Sequence, residues 1–216
     1  ISVASTGSNS DAKSSFSNYG MYVDVCAPGS NIYSTYYNNT YNFSSGTSMA
    51  SPVAAGAAGI IKSQFPSYTG LQVGEQLRVS CDNIYGSNAQ YIDKLGKGRI
   101  NMQNALIFNT PSVRYEDVDF DDNNDNAFVI GDTVNMSGIF MNYLAPTSNN
   151  CVATLSTTSS YVTLLNNTFN IGALATMGST DNLNTPFLIK INNNAPLNAK
   201  IVLKVTVTDG LYTDFQ

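Results

Sequence analysis

The sequence predicts two domains of different class: a mixed α/β half over residues 1–109 and an all-β sandwich over residues 110–216. Three observations carry this division. Met49 to Phe65 is an Ala- and Gly-rich helix pattern, whereas from Thr133 onward apolar residues recur with a period of two. Thr110-Pro111-Ser112 between them reads as a linker. The charge divides in the same way. Residues 1–107 hold six basic and five acidic side chains, and residues 108–216 hold four and ten.

Composition excludes several function classes. With 43% hydrophobic and 12% charged residues, the chain has too much apolar and too little charged content for global disorder. No run approaches the ~20 apolar residues of a membrane-spanning helix, Ala54 to Ile61 being the nearest candidate. Neither half has a basic patch, which argues against nucleic-acid binding. There is no His, so the chain supplies neither a His base to a Ser or Cys nucleophile nor a His-ligated zinc site. Cys26, Cys81 and Cys151 are too widely spaced for a metal cluster or a disulfide framework; they read as small buried hydrophobes, with one disulfide as the alternative.

In the first half, Ile1 to Ser5 reads as a short buried strand, Gly7 to Ser17 as a loop, and Tyr22 to Cys26 as a strand ended by Pro28-Gly29. In the Met49–Phe65 helix, Pro52 is expected in the first turn, where a missing N–H costs little, and Pro66 ends the helix. Gly56 and Gly59 would weaken an exposed helix by ~1 kcal/mol each, so a buried helix packed closely on other backbone is expected. A second helix is predicted over Gly70–Cys81 and a third over Met102–Phe108.

In the second half, Val134, Met136, Gly138 and Phe140 alternate with mostly polar residues, as do Ile201, Leu203, Val205 and Val207. Between them lie strand patterns at Val152–Thr157, Tyr161–Leu165, Phe169–Leu174 and Phe187–Ile191. Six or seven short strands joined by polar turns predict a sandwich of immunoglobulin-like size.

The run Ser45-Gly46-Thr47-Ser48-Met49-Ala50-Ser51-Pro52 carries the chemistry. It sets a hydroxyl at the start of a helix, where free N–H groups and the positive helix end would stabilise an oxyanion beside Ser48. A plain structural role is also open at this point and physics alone favours it: Thr47 or Ser48 as an N-cap.

The run also resembles the nucleophile signature of the subtilisin-like serine proteases. Three further segments agree with that family in order: Ser15-Phe16-Ser17-Asn18-Tyr19-Gly20, Val23-Asp24-Val25-Cys26-Ala27-Pro28-Gly29 and Gly96-Lys97-Gly98-Arg99-Ile100-Asn101. The resemblance covers residues 1 to about 107. It implies the C-terminal part of an α/β catalytic domain, cut inside its central parallel sheet, with Ser48 as nucleophile. The Ser48 N–H would be an oxyanion donor and Thr47 a supporting hydroxyl. The triad Asp and His, and the Asn completing the oxyanion hole, lie upstream in the family, before Ile1. Neither Asp11 nor Asp24 can replace the triad Asp, because order and context differ. Val53 stands where the family often has a His outside the triad. The resemblance therefore implies peptide hydrolysis through an acyl-enzyme, needing no cofactor. It also implies a secreted protein, a protein or peptide substrate, and inertness until the missing N-terminal part of the protease domain joins it. Residues 116 to 210 resemble the immunoglobulin-like modules that follow the protease domain in secreted bacterial subtilases.

A second candidate site lies in the acidic segment Glu116–Asp132. Asp121, Asn123, Asp125, Ala127 and Asp132 fall at positions one, three, five, seven and twelve of a calcium-type loop, with Asn126 at six in place of Gly and Asp at twelve in place of Glu. The alternative is a solvated acidic turn. Two other functions compete with the protease. One is a non-catalytic extracellular binding or adhesion module carrying a protease remnant. The other is a sugar-binding sandwich, against which the Tyr-rich patch (Tyr33, Tyr36, Tyr37, Tyr41) lies in the wrong half.

Overall fold

A computed structural model describes residues 1–125 and 127–216. Two compact units form, Ile1–Phe108 and Asn109–Gln216.

In the first unit, β1 (Val3–Thr6) and β2 (Val25–Pro28) pair in parallel, Val3 opposite Val25 and Thr6 opposite Pro28. The strand β2 runs two to three residues later than the sequence predicts. A hairpin not anticipated from the sequence follows, β3 (Ile32–Tyr36) and β4 (Thr40–Ser44). Its turn holds Asn38 and Asn39 at φ 55° and 56°, the left-handed region that Asn tolerates best after Gly. The long helix α1 spans Thr47–Gln64. It buries Ala50, Ala54, Ala57 and Ile61, an i, i+4, i+7, i+11 stripe that makes one helical face. That face joins Ala27 and, from the next two helices, Val73, Leu77 and Ala105 in one core. The helix α2 (Gly70–Val79) opens with a capping box in which Thr69 and Gln72 exchange side-chain-to-backbone bonds. The short α3 (Met102–Ile107) is capped by Asn101. Strand alternation turns Ala4 and Cys26 to the opposite side of the strand pair, where they pack with Ile84 and Leu95.

Two expectations about α1 are corrected. The helix is not buried all round: Gly56 and Gly59 lie on its exposed side, and a Cβ at either would meet nothing within 4 Å. Their glycines therefore answer to no neighbour among the described residues. Because the helix begins at Thr47, Pro52 is its sixth residue rather than part of the first turn. The missing N–H leaves the carbonyl of Ser48 without its usual i→i−4 donor.

The cysteines are free. Cys26 and Cys151 are buried, while Cys81 is half-buried, short of the full burial expected. Burial pushes the Cys26 and Cys151 thiols up to about 12, and burial likewise raises that of Cys81. None is a thiolate nucleophile near neutral pH.

The second unit has nine strands among the described residues: β5 (Val113–Asp121), β6 (Thr133–Asn142), β7 (Val152–Ser156), β8 (Val162–Asn166), β9 (Thr168–Asn170), β10 (Gly178–Asp181), β11 (Phe187–Ile191), β12 (Lys204–Asp209) and β13 (Tyr212–Phe215). One antiparallel sheet centres on β6, which carries β5 along one edge and β10 and β11 end to end along the other, with β8 beyond β11. The second sheet runs β13-β12-β7-β9. Alternate residues of both sheets fill one core: Val134, Met136 and Phe140 from the first, Ala153, Leu155, Val205 and Val207 from the second. The period-two pattern read from the sequence is this inward face. Three strands escaped it. β10 and β13 are four residues each, too short to display a period-two pattern. β5 was hidden because its last part, Glu116–Asp121, is acidic and mostly exposed, so the supposed acidic loop begins as strand.

Phe140 is fully buried, with its ring 4.3 Å from that of Tyr115 and 5.3 Å from that of Phe169. Phe140→Ala should cost this unit about 3–5 kcal/mol, read as a lower urea midpoint. A loss below about 1 kcal/mol would contradict this packing.

Candidate active site

The candidate site is built where the two parallel strands end. Gly29 follows β2, and a Cβ there would lie 2.4 Å from Ser5 Oγ, 2.6 Å from the Gly46 carbonyl oxygen and 3.0 Å from Ala50 Cβ. Only Gly allows β2 and the start of α1 to meet so closely. The Gly46 N–H then donates to the Gly29 carbonyl at 2.8 Å, and the Asn31 N–H donates to Ser45 Oγ at 2.9 Å. The loop bearing the Gly-Thr-Ser run is thereby tied to the strand end and the hairpin base.

Gly46, in extended backbone, is the N-cap of α1, and no side chain caps the helix. This corrects the N-cap alternative for Thr47 and Ser48: they are the first two helical residues, both exposed. The first bonds within the helix run from the Met49 and Ala50 N–H groups to the Gly46 carbonyl, at 3.0 and 3.3 Å. The Thr47 and Ser48 N–H groups come before them, at the positive end of an 18-residue helix. Ser48 thus presents a hydroxyl beside its own free N–H, which is what an attacking oxygen and its oxyanion need. The other end of α1 is closed by Lys62, whose Nζ donates to the Pro66 and Tyr68 carbonyls at 2.7 and 2.6 Å.

A charged cluster that the sequence did not disclose lies beside this strand end. Arg99 Nη1 donates to Asp11 Oδ1 at 2.5 Å and Nη2 to Asp82 Oδ2 at 2.7 Å, while Asn101 Nδ2 donates to Asp82 Oδ1 at 2.9 Å. The group lines a polar cavity of about 620 Å³ with Gly7 and Pro28, the residues at the ends of β1 and β2. Arg99 and Asn101 belong to the Gly-Lys-Gly-Arg-Ile-Asn run. Their partners lie 88 and 19 residues away, which no local pattern reveals. For Asp82, burial alone would raise the carboxyl, but the hydrogen bonds from Asn101 and Arg99 and the Arg99 charge outweigh it and hold it below 3.8. A carboxyl held lower in the folded state stabilises above about pH 4, and this contribution disappears as pH falls through the folded value. The urea midpoint of the first unit should therefore drop on acidification below about pH 4, and Asp82→Asn should flatten part of that slope. Identical slopes would contradict the assignment.

The described carboxylates of the acidic segment accept from nearby backbone. Asp121 ends β5 and accepts from the Asn123 N–H at 2.7 Å; Asp125 accepts from the Ala127 N–H at 2.9 Å; Asp132 accepts from the Val129 N–H at 2.7 Å. Each carboxylate is turned to its own backbone, as in an Asx turn. Among the described residues no three acidic, Cys or His side chains gather as a metal site. Asn126 lies outside the described residues.

Comparison with known proteins places the first unit. Residues 1–86 match the Subtilase family model. Thermitase of Thermoactinomyces vulgaris is 47% identical over 108 residues, 50% of this chain and 36% of thermitase. Subtilisin DY of Bacillus licheniformis is 43% identical over 105 residues, 49% of this chain and 36% of that protein. Among solved structures, a cold adapted subtilisin-like serine proteinase is 44% identical over 38% of this chain and 29% of its own, with a TM-score of 0.36. The chain spans about a third of the length of the curated relatives it matches. The subtilase-like unit thus carries the likeness, and no helix in the described residues is long and apolar enough to cross a membrane.

Proposed function

We propose that this chain is part of a secreted subtilisin-like serine endopeptidase. In this reading Ser48 Oγ attacks the peptide carbonyl, the Ser48 N–H supports the oxyanion, and Thr47 flanks them. The observation that carries the reading is the placement of Ser48: exposed, second in α1, with no capping role for its hydroxyl. Family likeness over residues 1–86 supports it.

The chain has no His, so the general base must come from another polypeptide segment, and the 216 residues alone are expected to be inert. Two features favour such a partner. An isolated two-stranded parallel sheet is unusual, since parallel strands are normally covered and extended, and β1 and β2 form just such a pair. The side of α1 bearing Gly56, Gly59 and the half-exposed Ile60 also faces solvent. The second unit, read as an immunoglobulin-like sandwich, would serve as a binding or spacer module.

Fluorophosphonate labelling tests the reading. Label that is lost in Ser48→Ala supports an activated serine, with the base-bearing segment present. Absence of label from protein holding that segment would favour the second reading, a binding module with a protease remnant.

A further inference from the structure

The hairpin β3–β4 carries an aromatic face for which the proposed chemistry has not yet accounted. Tyr33 pairs with Phe43 and Thr35 with Tyr41 across the strands, so these four side chains share one face. The Tyr33 ring lies 4.9 Å from that of Phe43 and 5.7 Å from that of Tyr41. Despite this contact the three residues remain 60%, 62% and 61% exposed. A contiguous apolar face left in water marks a contact surface rather than a core.

Its occupant follows from position and charge. β4 ends at Ser44, and its base is fixed to the Ser48 loop by the Asn31–Ser45 bond and the Gly46–Gly29 bond. Phe43 precedes Ser48 by five residues, so the two Cα atoms are at most about 18 Å apart. A polypeptide bound at Ser48 in extended form advances about 3.3 Å per residue, which brings the ring face within about five residues of the bond under attack. No Asp, Glu, Lys or Arg occurs between Asp24 and Lys62, so this stretch offers an incoming side chain no ion pair.

We propose that Tyr33, Tyr41 and Phe43 form a specificity surface that takes an aromatic or branched apolar side chain of the polypeptide substrate. The proposal rests on the protease reading above. The rings supply face and edge contacts to an apolar group and exclude water from it, while a charged side chain there would lose hydration with nothing in return.

The test uses the assembled protease and internally quenched peptides that vary, one position at a time, among Phe, Leu, Gly and Asp on either side of the cleaved bond. At one position the wild type should prefer Phe over Gly in kcat/KM, and Tyr33→Ala/Phe43→Ala should lower that ratio about tenfold, in line with the size of aromatic contacts. Tyr33→Phe should retain the ratio, as should Leu211→Ala, an exposed site in the other unit. An unchanged ratio, or an equal loss for Phe and Gly peptides, overturns the proposal. Fluorophosphonate labelling of Ser48 in the same samples separates the two ideas. With label and an unchanged ratio, only the specificity surface fails; without label, both fail.

Discussion

On the proposed protease reading, Ser48→Ala in the assembled enzyme should lower kcat on the order of a millionfold, the loss seen when subtilisin loses its nucleophile. KM should change little, because in that reading the hydroxyl acts in the covalent step and not in ground-state binding. The fold should not be the reason for the loss. Ser48 is exposed, and the helix is capped at Gly46 without any side chain. Ala is the best helix former, so stability should stay within about 0.5 kcal/mol of the parent. Steady-state kinetics on a peptide substrate, paired with a urea titration, checks both halves. A variant that keeps more than about a thousandth of the parental kcat would remove Ser48 from the covalent step, since even a base-less triad retains only a small residue of its rate.

How much of this site could be read in advance depended on how local each feature is. The Ser48 motif, the helix behind it and the Gly turn before it are contiguous, and the sequence displayed them. The inward faces of β6 and β12 were equally legible, because period-two burial is written along one strand at Val134, Met136 and Phe140 and at Val205 and Val207. Features made by distant pairing were not. Arg99 meets Asp11 across 88 residues and Asp82 across 17, and neither spacing has a pattern. β5 failed for a different reason: its exposed acidic half is held by pairing with β6, with a register shift between Glu116 and Asp119, so tertiary context overrode poor strand propensity. The solvent-facing glycines of α1 misled in the opposite direction, since a Gly-rich helix suggests close packing only if something lies against it.

Gly98→Ala should be a strongly damaging single-atom change in the first unit. Gly98 sits at φ 108°, and a Cβ there would lie 2.0 Å from the Asp82 carbonyl oxygen. That oxygen cannot retreat freely, because it accepts from the Arg99 N–H at 3.0 Å while the Asp82 N–H donates to the Arg99 carbonyl at 2.8 Å. The Gly98 carbonyl in turn accepts from the Cys26 N–H at 2.6 Å, on the outer edge of β2. Backbone strain and the clash together should cost upwards of about 3 kcal/mol, enough to unfold much of a marginally stable unit, and near-UV circular dichroism with a urea midpoint would show it. Gly56→Ala provides the opposite case. It is an exposed mid-helix position with nothing within 4 Å of the added carbon, so the 216-residue chain should gain up to about 1 kcal/mol. The same substitution in the assembled protease then becomes informative. If the base-bearing segment docks on this side of α1, the added methyl meets it and activity falls although the chain alone is more stable. If activity and stability both rise, that segment docks elsewhere.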